Sequence, residues 1–187
     1  MKQKEVYTPA EDTYLLNKTV KKELKEGIKA LDMGTGTGLI ADTLSDKAQK
    51  VVAVDINPEA VELAEENLAT KNNVEIKQSD LFNEINETNF DLISFNPPYL
   101  PIKDQKIKEP INKAWNGGKT GKKTLFRFLD QLNKKLSPGG ISLILISTLT
   151  EPNKVKSKIK DIGFDYEVVS KKKIFFEELM VIKIKNI

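Results

Sequence analysis

Eleven residues, Ile28 to Gly38, limit this chain to a small set of folds. Ile28-Lys29-Ala30-Leu31-Asp32-Met33 has the apolar character of a strand and runs directly into Gly34-Thr35-Gly36-Thr37-Gly38. Glycine at every second position lets the backbone take dihedrals closed to other residues, and lets a ligand approach with no Cβ in the way. A strand ending in such a turn belongs at the C-terminal edge of a parallel sheet, where open α/β sheets bind ligands.

The rest of the pattern agrees. Strand-like stretches recur at Ile28–Met33, Val51–Asp55, Val74–Lys77, Phe90–Phe95 and Ile141–Ser147. Helical stretches lie between them at Leu39–Asp46, Pro58–Lys71 and Lys119–Leu136. Asn57 caps the second of these, with Pro58 at its first position. Leu125, Phe128, Leu132 and Leu136 give the third one apolar face, and Ser137-Pro138-Gly139-Gly140 is expected to end it. A short helix over Pro152–Ile162 follows and stops at Gly163. Two β-like runs, Phe164–Val169 and Leu179–Lys185, separated by Lys171-Lys172-Lys173, predict an antiparallel hairpin closing the sheet. Strands alternating with helices read as an α/β fold with a mostly parallel seven-stranded sheet. At 187 residues this fits a single domain over 1–187.

Two segments stand outside that alternation. Residues 1–27 read as a helical N-terminal cover: Thr8-Pro9-Ala10-Glu11 has the form of a capping box with proline at the first helical position. Leu16, Val20 and Leu24 then give one buried face, and Gly27 is the expected stop. Residues 97–118 show no periodicity and are interrupted by Pro97, Pro98, Pro101, Pro110, Gly117 and Gly118. A loop of that length inside a domain reads as a substrate loop rather than a spacer.

Composition narrows the chemistry. The chain has no cysteine and no histidine, which removes thiol nucleophiles, zinc–thiolate sites and the usual general base; no metal site is expected. A net charge of +3 neither demands nor excludes nucleic acid. The longest apolar run, Ile141 to Ile146, is far short of a membrane span, and the first residues lack a signal-peptide pattern, so a soluble cytoplasmic protein is expected.

The glycine spacing is G-x-G-x-G, whereas a pyrophosphate-binding turn more typically shows G-x-G-x-x-G. S-adenosylmethionine has no pyrophosphate, and its α-ammonium suits a carboxylate ahead of the loop, Asp32. Gly34, Thr35, Gly36 and Gly38 form the turn itself. Asp55 ends the next strand, beside Ile56, and is placed to accept hydrogen bonds from both ribose hydroxyls. Asp80 follows the third strand and is placed for the adenine amino group, with Leu81 against the ring.

The fourth strand ends in Asn96-Pro97-Pro98-Tyr99. Paired prolines stiffen the backbone and remove two N–H donors. The Asn96 side-chain oxygen and the Pro97 carbonyl can then each accept from a substrate NH₂ group, with Tyr99 against its planar carrier. An amide nitrogen is a poor nucleophile, so two acceptors that aim it and favour positive charge on it supply what the reaction lacks. No histidine is needed, since the proton can leave after methyl transfer.

Asp-x-Gly-x-Gly-x-Gly followed by a strand-terminal Asn-Pro-Pro-Tyr resembles the class I methyltransferases that modify glutamine or exocyclic amino nitrogens. Val6-Tyr7-Thr8-Pro9-Ala10-Glu11-Asp12-Thr13-Tyr14-Leu15-Leu16 and Ala114-Trp115-Asn116-Gly117-Gly118-Lys119-Thr120-Gly121 are similar to segments of the archaeal and eukaryotic branch of the HemK-type glutamine methyltransferases. The resemblance implies methylation of the glutamine in the Gly-Gly-Gln motif of a class 1 translation termination factor. It implies that Tyr7, Pro9 and Thr13 cover the cofactor, with Asn96 beside it, and that Asn96, Pro97, Tyr99, Trp115, Gly117 and Gly118 meet the substrate. It also implies a small zinc-binding activator protein as partner, for which the expected edge strand, Val74–Lys77, offers a place. Bacterial members carry a separate helical N-terminal domain, whereas about ten residues precede the first helix here; the family's first loop position is often Glu, one methylene longer than Asp32.

Other readings stay open on the sequence. Asn-Pro-Pro-Tyr suits any planar NH₂, so an adenine-N6 or guanine-N2 methyltransferase acting on RNA or DNA is the alternative, with lysines 154, 156, 158, 160 and 171–173 as a phosphate-binding face. A cofactor-binding scaffold without activity and a nicotinamide-dependent dehydrogenase are the other two; the intact Asn96 and the glycine spacing speak against them.

Overall fold

The computed structural model describes residues 6–98 and 122–186. Tyr99, Trp115, Gly117 and Gly118, most of the loop expected over 97–118, and the start of the helix expected from Lys119 lie outside them. In chain order the elements are α1 (Glu11–Glu23), β1 (Lys29–Met33), α2 (Leu39–Ser45), β2 (Lys50–Asp55), α3 (Pro58–Asn67), β3 (Val74–Gln78) and β4 (Phe90–Phe95). After the second described segment begins come α4 (Lys123–Leu132), β5 (Leu136–Ser147), a 3₁₀ turn (Thr148–Thr150), α5 (Pro152–Asp161), β6 (Asp165–Lys173) and β7 (Glu178–Lys185).

The strands form one seven-stranded sheet in the order β3-β2-β1-β4-β5-β7-β6. Pairings among β1 to β5 are parallel, and β7 runs antiparallel to both β5 and β6. The expected α/β sheet with a closing antiparallel hairpin is therefore what the chain adopts. After β1 the chain steps outward through β2 and β3, then crosses back to add β4 on the other side. The C-terminal ends of β1 and β4 thus flank the switch point, where the connections diverge and leave a crevice.

Central strands are buried on both faces, as parallel strands under helices must be. Alternate residues face opposite layers. Leu31, Met33, Ile93 and Phe95 pack with Leu125, Phe128, Leu129 and Leu132 of α4 and Val155 and Ile159 of α5. Ala30 and Leu92 pack on the other side with Leu16, Val20 and Leu24 of the α1 region and Ile40 and Leu44 of α2. The same alternation sends Asp32, Ser94 and Asn96 toward the α1–α2 layer, and this decides what they can touch.

Local expectations fail in five places. The capping box does not form: α1 starts at Glu11 with Ala10 as N-cap and no side-chain cap, because the residue that binds a first-turn N–H is Asp12, whose carboxylate accepts from the Thr13 amide at 2.6 Å. The helix stops at Glu23, not Gly27, which instead turns the chain into β1 with φ +75°. α3 ends at Asn67, four residues short of Lys71, while Asn57 caps it as expected, accepting from the Glu59 amide at 3.0 Å. Ser137-Pro138-Gly139-Gly140 does not end α4 but lies within β5, and Lys171–Lys173 lie within β6 rather than between strands.

The placing of Ser137-Pro138-Gly139-Gly140 within β5 has a steric cause. β5 pairs with β4 at Phe90–Leu136 and again at Leu92–Ile141, with a bulge between. A Cβ on Gly140 would stand 2.8 Å from the Phe90 carbonyl oxygen, so the glycine is there to let β4 pass. Gly140→Ala is expected to lower stability by about 1–3 kcal/mol through that backbone clash. A urea-denaturation midpoint unchanged from wild type would show that the bulge gives way freely.

Candidate active site

A cavity of about 400 Å³ opens at the switch point, within the size range of small-molecule sites. The glycine turn forms its floor. A Cβ on Gly36 would meet nothing within 4 Å, so that residue borders open space, and its φ of +55° suits glycine. Gly34, Thr35 and Thr37 line the cavity with it, joined by Asp55, Ile56 and Asn57 from the end of β2. Asp80 and Leu81 follow β3, Asn96, Pro97 and Pro98 follow β4, and Tyr7, Pro9, Asp12 and Thr13 close the α1 side.

Two expected ligand residues stand behind that wall. Asp32 is 1% exposed and does not border the cavity: its carboxylate accepts from the Thr35 hydroxyl at 2.8 Å and the Ser94 hydroxyl at 2.8 Å. It braces the loop from beneath and ties β1 to β4. Burial pushes its carboxyl up to about 6. Gly38 is the N-cap of α2, where a Cβ would press on Leu68 at 2.9 Å, so it serves helix packing.

Asp55 sits in the wall as expected. One oxygen accepts from the Gly36 amide and the other from the Asn57 amide, both at 2.9 Å. Each carboxylate oxygen has two acceptor sites, so capacity remains for a ligand. Asp80 is less free. Arg127 of α4, the only arginine of the chain, holds both its oxygens at 3.2 and 2.9 Å in a bidentate pair. Leu81 beside it takes φ +54°, a left-handed conformation that a non-glycine residue holds only when its surroundings impose it, and such strain gathers at ligand sites. Ser79 does the imposing: its hydroxyl donates to the Leu81 carbonyl at 2.7 Å and accepts from the Glu84 amide at 3.1 Å.

Asn96 carries the most specific geometry. Its amide NH₂ donates to Asp12 at 3.1 Å and to the Thr13 hydroxyl at 3.4 Å. A carboxylate only accepts, so the NH₂ must face Asp12 and the amide cannot be turned round. Oδ1 is left buried with no hydrogen-bond partner among the described residues. Asp12 is itself buried, taking the Tyr7 hydroxyl at 2.9 Å on each oxygen as well as the Thr13 amide. Sequence reasoning missed Asp12 because an acid in a first helical turn is explained by the helix dipole alone. Arg127 left one signal: it is the single guanidinium in a chain that otherwise uses lysine.

Electrostatically the cavity is asymmetric. Asp80 is paired with Arg127, whereas Asp12 and Asp55 are held by neutral donors only among the described residues. Three carboxylates, Asp12, Asp55 and Asp80, line the cavity against two cations, Lys123 and Arg127, and this excess of negative charge favours a cationic ligand over a pyrophosphate.

A doubly wound sheet with this closing hairpin, a glycine turn at the switch point and a carboxylate after β2 define a class I methyltransferase fold. Comparison agrees. The sequence profile of the "Methyltransferase small domain" matches residues 10–176. A chain of Methanocaldococcus jannaschii named for protein N5-glutamine methylation is 45% identical over 181 residues, covering 95% of this chain and 90% of that one. Human methyltransferase HEMK2 is 29% identical, covering 96% and 89%. The solved E. cuniculi Mtq2–Trm112 complex, described as methylating the eRF1 translation termination factor, superposes with a TM-score of 0.78 at 28% identity, covering 97% of this chain and 99% of that one. The chain belongs to the methyltransferase small domain family and, within it, to the HemK-type protein-glutamine methyltransferases.

The folded chain keeps the Asp32 proton up to about pH 6, whereas an unfolded one releases it near the ordinary 3.8. Ionisation therefore works against the fold as pH rises through that window, by on the order of 3 kcal/mol once complete. The stability difference between Asp32→Asn and wild type should accordingly shift in favour of the variant between pH 4 and pH 7. A difference that stays flat over that range would contradict the burial argument.

Proposed function

We propose that this enzyme transfers a methyl group from S-adenosylmethionine to the side-chain nitrogen of glutamine in the Gly-Gly-Gln motif of a class 1 translation termination factor, in the cytoplasm. The observation that carries the reading is Asn96 Oδ1, buried and without a hydrogen-bond partner among the described residues, on a side chain that lines a cavity with more carboxylates than cations.

The residues fit the cofactor. Asp55 offers spare acceptor capacity to the ribose hydroxyls, Gly36 leaves room for the chain that bears the sulfonium, and Leu81 offers an apolar face to the adenine ring. Asp12 and Asp55 favour its positive charge. When bound, S-adenosylmethionine supplies an electrophilic methyl group on a sulfonium centre.

This chain's own residues then act on the glutamine. Asn96 Oδ1 and the Pro97 carbonyl would each accept one N–H of the amide and so orient its nitrogen for attack. As the N–C bond forms, nitrogen gains positive charge, and the same two acceptors stabilise it. Once methylated, the nitrogen would lose its extra proton to solvent, so no side chain of the site need act as a base. The substrate class is supported by the relatives, one named for protein N5-glutamine methylation and one described as acting on eRF1.

The relative solved with Trm112 also supports a small partner protein. The strand expected at the sheet edge, Val74–Lys77, is β3, whose only neighbour among the described residues is β2. Val74 and Ile76 are half-buried, and Glu75 and Lys77 form an ion-pair ladder with Lys50 and Glu87. We place the zinc-binding activator on this edge by strand addition. Val74→Glu with Ile76→Glu should abolish its co-purification; full retention would remove it from that edge.

Mass spectrometry of the termination factor after incubation with the enzyme and partner tests the whole reading: one methyl group on the Gly-Gly-Gln glutamine is expected, and an unmodified factor beside a methylated RNA or DNA would overturn it. Asn96→Ala should abolish turnover while S-adenosylhomocysteine affinity stays within a few-fold by calorimetry. Asp55→Ala should do the reverse first, weakening that affinity by about 1.5–3 kcal/mol. Retained turnover in Asn96→Ala would disprove the acceptor role.

A further inference from the structure

Four large hydrophobic residues stand exposed among the described residues: Phe175 at 98%, Phe176 at 96%, Tyr14 at 55% and Leu149 at 47%. Isolated exposed apolar residues are ordinary. Three of these, Phe175, Phe176 and Leu149, lie at one end of the β6–β7 hairpin. Phe175 and Phe176 form the tip of the β6–β7 hairpin, with ring centroids 6.5 Å apart. Leu149 lies in the 3₁₀ turn, whose Thr148 hydroxyl accepts from the Glu178 amide at 3.1 Å, just past that tip. Tyr14 is one helical turn from Glu11, and Glu11 pairs with Lys172 of β6.

The tip is held in place. The Ile174 amide donates to the Glu177 carbonyl at 2.9 Å, the Ser147 hydroxyl bonds the Glu177 carboxylate, and Lys171 pairs with Glu178 at 3.1 Å. This polar scaffold fixes two phenylalanines in water, a preorganisation that serves binding by removing its ordering cost. The location is equally specific. β7 opposes the end of β5, with Ser147 across from Leu179, so the tip lies at the sheet rim where β1 and β4 also end. Its tether, Glu11, adjoins Asp12 and Thr13, which line the cavity.

We propose that this patch is the docking surface for a folded protein that carries the acceptor glutamine, held so that its side chain enters the cavity. The proposal rests on the protein-substrate reading given above. A single glutamine side chain offers little binding energy, and contacts remote from the reacting atom are the usual source of it. Exposed aromatic anchors at the centre of an interface are the typical form of such contacts. A polyanion fits less well, because Lys171 and Lys172 are already paired with carboxylates and Glu177 adds another negative charge beside the tip. The patch lies toward the β6 edge and the proposed partner strand at the β3 edge, at opposite ends of the sheet, so both can be occupied together.

The test uses the full chain with its partner, and compares Phe175→Ser/Phe176→Ser and, separately, Leu149→Ser with wild type. Steady-state rates are measured on the intact termination factor and on a short Gly-Gly-Gln peptide, alongside single-stranded RNA binding by anisotropy. The expected result for the double variant is a loss of at least about tenfold in kcat/KM for the intact factor, mostly in KM, as removal of anchor residues gives. The peptide rate, S-adenosylhomocysteine affinity and partner co-purification should stay within about twofold, with Leu149→Ser showing a smaller loss of the same kind. An unchanged rate on the intact factor, an equal loss on factor and peptide, or weakened partner or RNA binding with intact factor kinetics would each overturn the docking proposal. Failure of the wild-type complex to methylate either factor or peptide would instead overturn the substrate reading beneath it.

Discussion

The bond from Asn96 to Asp12 joins the end of β4 to the first turn of α1, 84 residues apart in sequence. Asparagine at a strand end can present either its oxygen or its NH₂ to a ligand, and the two choices have opposite chemistry. Asp12 removes the choice, since it has only acceptors to offer. The carboxylate is in turn fixed by Tyr7 and Thr13, so the N-terminal segment, the helix and the sheet all bear on the orientation of one amide. An acceptor held this way needs no reorganisation when charge develops on a bound nitrogen.

The sheet makes that contact possible. Period-two alternation along β4 and into Asn96 places Leu92, Ser94 and Asn96 on the α1–α2 side, and α1 covers the sheet there with Leu16 and Val20, joined by Leu24 just past its end. Ser94 in the same row bonds Asp32 of β1, which braces the glycine turn through Thr35. The floor of the cavity and the acceptor at its rim are therefore set by neighbouring rows of one buried layer. Burial raises the cost of ionising Asp32, and the loop geometry is what that cost secures.

Much of this was legible in the sequence because it is local. β1, β2 and β4 are short, mostly apolar runs buried on both faces, and the glycine turn and Asn96-Pro97-Pro98 need only their own spacing to be recognised. Where the reading failed, a distant partner decided. Ser137-Pro138-Gly139-Gly140 has the composition of a helix stop, yet the backbone of Phe90 draws it into β5 as a bulge. Thr8 is a good cap residue, but Asp12 binds the helix start and also reaches Asn96. The Asp80–Arg127 pair spans 47 residues, and nothing in either neighbourhood announces the other. Asp32 is expected at the cofactor, but its hydroxyl partners Thr35 and Ser94 keep it under the loop instead of in the cavity.

The most direct measurement is a crystal structure of the enzyme with S-adenosylhomocysteine and a glutamine-containing Gly-Gly-Gln peptide. Asn96 Oδ1 should accept from the glutamine amide at about 3 Å, with the Asn96 NH₂ still on Asp12. A glutamine amide bound elsewhere, or an Asn96 that has let go of Asp12 to donate to the substrate, would contradict the account at its centre.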